Sequence, residues 1–168
     1  MRPWDGRCYY PGLLEWLDST SLAVWLRESP SVWSAPTVLT LHTTGMAVLV
    51  GVSWVLDLRL LGIGRHVPLS DFRWVFPTVM VGLIINVVTG ILLFVKNPTT
   101  WGASIPFLIK MGLVLASAAT LLPIRSHVLH GDAAPGDASG RTRLLAIASI
   151  LAWSAAVTAG RLLAYLQP

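Results

Sequence analysis

The chain has 168 residues, of which 54% are hydrophobic and only 12% charged, and its net charge is +4. An ordinary soluble domain carries roughly a quarter charged residues, so this chain has too little charge to cover a soluble surface. The basic residues sit singly at the ends of apolar runs rather than in a stripe, which argues against nucleic acid as a partner. The single cysteine, Cys8, excludes an internal disulfide and a cysteine-based metal site within one chain.

Residues 1–12 are polar and broken by Pro3, Gly6, Pro11 and Gly12. They lack the basic-then-apolar order of a secretory signal, so insertion is expected to be directed by the first true span. Residues 13–17 and 22–27 read as two short amphipathic turns. The cluster Asp18-Ser19-Thr20-Ser21 between them supplies N-cap candidates. Trp16, Trp25 and Trp33 fall where apolar residues meet charged ones. The expectation is an interfacial helix pair within an N-terminal segment, 1–35, lying on the membrane.

Residues 36–168 then read as a four-span bundle, with spans at about 38–56, 75–95, 105–124 and 144–166. Each run is close to the ~20 residues that cross ~30 Å of hydrocarbon as a helix. The runs are too long and continuous for barrel strands, and backbone in lipid must satisfy its own hydrogen bonds. The fold class is therefore all-α, an integral membrane four-helix bundle. The connections are short, and 131–140 has the glycine, proline and aspartate content of a flexible loop.

The basic residues also set an orientation. The two connections on the side away from the termini carry Arg59, Arg65, Arg73, Arg125, Arg141 and Arg143; the one connection on the terminal side carries Lys96. Positive-inside bias predicts a multi-pass protein of a bacterial inner membrane with both termini periplasmic.

Within the apolar runs, ionisable groups are costly and therefore informative. His42, Lys110 and Arg161 each lie four or five residues from the terminal-side end of their run, with Tyr165 one turn from Arg161. Two cations and a histidine at one depth suit a quinone, a haem propionate or a lipid phosphate. The competing reading is that Lys110 and Arg161 snorkel to the headgroups. Asn86 belongs to a small-and-polar stripe with Gly82, Thr89 and Gly90, and Ala156 and Gly160 form a small-xxx-small pair, both features of helix packing. Met46 is one turn from His42; the two cannot bind opposite faces of one haem, but they are a candidate pair for a soft ion such as copper(I). His127 and His130, beside Asp132, read as a solvated loop. No phosphate loop, nucleophile elbow or HExxH motif is present, so an enzyme is not expected.

The stretch from Leu41 through His42-Thr43-Thr44-Gly45-Met46 to Gly51, followed by Asp57-Leu58-Arg59-Leu60-Leu61-Gly62, resembles the first span of an uncharacterised bacterial integral-membrane family, a domain of unknown function. Asn86-Val87-Val88-Thr89-Gly90, Phe107-Leu108-Ile109-Lys110 and Ala159-Gly160-Arg161 through Tyr165 resemble its later spans. The resemblance covers most of the chain and implies a four-helix membrane domain. More distantly, the chain is similar to membrane modules of copper-resistance and b-type cytochrome type, which usually carry paired intramembrane histidines; this chain has one. Two functional expectations follow. The first is a non-catalytic subunit that stabilises a larger respiratory or photosynthetic complex through contacts with lipid, pigment and other subunits. The second is a cofactor module for haem b, quinone or copper at His42, Lys110 and Arg161.

Overall fold

The computed structural model describes residues 12–64, 66–102, 104–130 and 139–166, the side chains of 127, 129, 130 and 163–166 excepted. The two amphipathic turns are helices, α1 (Leu13–Asp18) and α2 (Ser21–Glu28). Thr20 caps α2: its hydroxyl accepts the Ala23 amide at 3.3 Å, which satisfies one of the free donors of the first turn.

Four long helices follow the four apolar runs. They are α3 (Ala35–Leu61), α4 (Val75–Lys96), α6 (Ile105–His130) and α7 (Gly140–Leu166), with a short α5 (Pro98–Gly102) between α4 and α6. Each long helix holds a stretch long and apolar enough to cross a membrane. The architecture is an all-α bundle of membrane-spanning type.

The helices overrun the apolar runs at the side away from the termini. α3 continues through Asp57 and Arg59 to Leu61, α6 continues to His130, and α7 begins at Gly140. Helical hydrogen bonding does not stop at the hydrocarbon boundary; it stops at a capping residue. For α3 that residue is Gly62, whose φ of 106° is open to glycine at little cost. The amide of Ile63 reaches back to the Leu58 carbonyl at 3.0 Å and that of Gly62 to the Arg59 carbonyl at 3.1 Å, a Schellman closure. The connection to α4 contains a 3-10 helix, Leu69–Trp74.

Packing follows a definite order around the bundle. α3 lies along α4, α7 lies along α3, and α6 lies along α7. Among the described residues, α4 and α6 do not pack along each other in this way, so the fourth side is loosely closed. The α3–α4 seam is tight because glycines face each other. A Cβ added to Gly82 would sit 3.1 Å from the Leu49 amide nitrogen and 3.2 Å from the Gly45 carbonyl. In lipid there is no hydrophobic drive between helices, so close backbone approach supplies the attraction. The buried core around Leu49, Leu56, Leu60, Val79, Ile124 and Trp153 draws on all four long helices and the halves away from the termini.

The N-terminal hairpin sits on the terminal-side end of this bundle. Arg27 ties it down, donating to the Asp18 carboxylate at 3.0 Å and to the Lys96 carbonyl at 3.1 Å. The second bond occupies a carbonyl at the C-terminus of α4, where a cation also complements the helix dipole. Trp16, Trp25 and Trp33 remain exposed around it.

Candidate functional site

His42 lies on the α3 face turned toward α4, and three α4 residues define its surroundings. Its Nδ1 is 3.0 Å from the Thr89 hydroxyl. Thr89 has one hydroxyl proton, and its oxygen lies 2.6 Å from the Ile85 carbonyl and 3.3 Å from the Asn86 carbonyl, both of which can only accept. Thr89 therefore meets His42 with a lone pair, and Nδ1 is the donor. In the neutral ring this leaves Nε2 without a proton. Nε2 is buried and has no hydrogen-bond partner among the described residues. A histidine with Nδ1–H anchored on an oxygen and a free Nε2 lone pair is the arrangement used to present imidazole to a ligand.

Asn86 fixes the backbone at the same point, its Nδ2 donating to the His42 carbonyl at 3.0 Å. Its amide nitrogen is engaged in joining α4 to α3. Gly90 leaves room for the ring: a Cβ there would meet His42 Cε1 at 3.4 Å.

Across the loosely closed side stands Lys110 on α6, near enough for its charge to act on His42. Its stem rests on Gly160 of α7, where an added Cβ would meet Cε at 3.4 Å and Nζ at 3.6 Å. His42, Gly90, Lys110 and Gly160 are all half-buried. They form a cluster in the terminal-side half, on the side where α4 and α6 are loosely packed. One turn nearer the terminal end, Phe94 of α4 stacks on Phe107 of α6 with centroids 5.4 Å apart, and Trp101 of α5 lies 6.4 Å from Phe107. These rings lie at the terminal end of the cluster.

Of the residues singled out in the sequence, the structure brings together His42, Lys110 and Asn86. Arg161 follows Gly160 by one position and so points about 100° around α7. It is exposed and makes no hydrogen bond or ion pair among the described residues, the position of a cation reaching along the lipid side. The Tyr165 side chain lies outside the described residues, as do those of His127 and His130, together with Asp132. Met46 packs against the core around Leu49. Among the described residues, no group of three histidine, cysteine or acidic side chains gathers to hold a metal ion.

Sequence reading did not assign Thr89 to the site and missed Gly90, Gly160 and the aromatic trio as its parts. Thr89 and Gly90 were visible as a polar-and-small stripe, but only the helix rotation shows which residue the stripe serves. Comparison with protein-family models, with curated proteins and with solved structures finds no match to this chain, so the functional reading stands on the geometry around His42.

Proposed function

We propose that the chain is a membrane module that holds a lipid-soluble carbonyl compound of the quinone class between His42 and Lys110. The observation that carries this reading is the buried, partnerless Nε2 of His42, whose Nδ1 is held by Thr89, with Lys110 near enough for its charge to act on the ring. A quinone carbonyl accepts a hydrogen bond from Lys110, and the hydroxyl of the reduced form donates to Nε2. Phe94, Phe107 and Trp101 offer ring faces for the planar headgroup. Lys110 also separates quinone from haem and copper: a positive charge beside His42 opposes a haem iron or copper ion there and favours a neutral or anionic guest. Arg161, exposed at a similar depth, is a further cation on the lipid side.

The test is extraction of quinone from the protein purified from native membranes in mild detergent. Wild type is expected to retain about one quinone per chain. Lys110→Met removes the bond to the quinone carbonyl and His42→Ala the bond to the hydroxyl of the reduced form, so His42→Ala is read with the quinone kept reduced; each loss lowers affinity on the order of tenfold per 1.4 kcal/mol. A wild-type preparation without quinone, or variants that retain it fully, would overturn the reading.

A second reading, a subunit without chemistry of its own in a larger respiratory or photosynthetic complex, is favoured by a different observation. α6 is the least buried of the four long helices, and Gly112, Ala116 and Ala119 are all exposed on it. Small residues on a lipid-facing surface suit close approach of another helix. Blue-native electrophoresis tests this, since Ala116→Leu is expected to dissociate the larger species. The orientation, with the arginine-rich connections in the cytoplasm and the termini in the periplasm of a bacterial inner membrane, is supported by charge bias. A C-terminal alkaline phosphatase fusion is expected to be active.

A further inference from the structure

The α3–α7 seam contains a second set of polar groups, far from His42. Asp57 of α3 is 1% exposed, and Ser149 and Trp153 of α7 are both 0% exposed. Asp57 follows His42 by fifteen positions, which is about 22 Å along a helix. Ser149 lies within interaction range of the Asp57 carboxyl. Yet Asp57 Oδ2, Ser149 Oγ and Trp153 Nε1 are each without a hydrogen-bond partner among the described residues. Trp153 is one turn from Ser149 on the same face of α7, and Ser53 is one turn from Asp57 on α3. The Ser53 hydroxyl donates to the Leu49 carbonyl at 2.7 Å and so turns only lone pairs to its surroundings. Asp57 has no ion pair among the described residues.

The chemistry of these atoms specifies a guest. An indole N–H only donates, a carboxylate oxygen accepts, and a hydroxyl does either. The species that satisfies all of them is small, accepts from one and donates to another. Water fits, since buried waters typically make about three hydrogen bonds to otherwise unsatisfied groups. An alkali cation does not fit: it is repelled by the positive edge of the indole N–H. We propose that Asp57, Ser149 and Trp153 enclose an ordered internal water, a second polar site independent of the cluster around His42.

The test uses the full chain in detergent micelles with 15N-labelled tryptophan, the Trp153 indole being assigned from its loss in Trp153→Phe. Magnetisation transfer from water to the indole N–H is expected in wild type. It is expected to persist in Ser149→Ala, because Asp57 and Trp153 still hold the water, and to vanish in Asp57→Leu with helix content unchanged. No transfer in wild type, its loss in Ser149→Ala, or its survival in Asp57→Leu overturns the proposal. Should Asp57→Leu not insert, wild type and Ser149→Ala decide by themselves, since transfer relayed through the serine hydroxyl would disappear with it.

Discussion

The two sides of this bundle are built by opposite rules. On the α3–α4 side the backbones approach until Gly45 and Gly82 leave no room for a methyl group. On the α4–α6 side the helices stand apart and meet through side chains, the Phe94–Phe107 stack among them. The same residue type has different meanings on the two sides. Gly82 is a packing requirement, whereas nothing lies within 4 Å of a Cβ added to Gly112 on α6. The tight seam fixes where His42 points; the loose side is where the proposed lipid-soluble guest would enter.

The comparison is broken most severely at Gly82. Gly82→Leu is expected to prevent the α3–α4 pair from forming, seen as loss of a folded population in dodecyl-sulfate titration. Gly82→Ala is a milder overpacking, expected to cost about 1–3 kcal/mol in the same assay. Next comes Gly62→Ala, which places a side chain at a φ of 106°. Its cost of about 1–2 kcal/mol is the penalty of a left-handed conformation for an L-residue. Asn86→Leu removes the bond to the His42 carbonyl and is expected to cost about 0.6 kcal/mol, the average for interhelical hydrogen bonds in lipid. Gly112→Ala is the smallest: within about 0.5 kcal/mol of wild type, as befits an open surface position. If Gly112→Ala proved as damaging as Gly82→Ala, the contrast between the two sides would not hold for the isolated chain.

Much of this was legible in the sequence, and the limit was rotational rather than axial. Length and hydropathy locate the four spans, and the Asp18–Ser21 cluster locates the start of α2. Counting residues puts His42 and Lys110 at one depth, and the structure brings them near each other. What counting does not give is which way a helix is turned. Gly160 and Arg161 are neighbours in sequence, but one receives the Lys110 stem and the other is exposed. Asp57 reads in sequence as the end of a span. It is buried because α3 runs on through Arg59 to the Gly62 cap, which carries Asp57 into the seam with α7. Ser149 and Trp153 belong to an ordinary apolar run, and nothing in their spacing marks them as facing an acid.

The account rests on one atom, the unprotonated Nε2 of His42. Its state is measured by 15N chemical shifts of labelled histidine in the full chain at neutral pH, with the His42 signal assigned by its loss in His42→Ala. The account predicts the Nδ1–H tautomer in wild type, and a mixture of tautomers in Thr89→Val, where the accepting oxygen is gone. A ring found as the Nε2–H tautomer in wild type, or a Thr89→Val spectrum identical to it, would contradict the account.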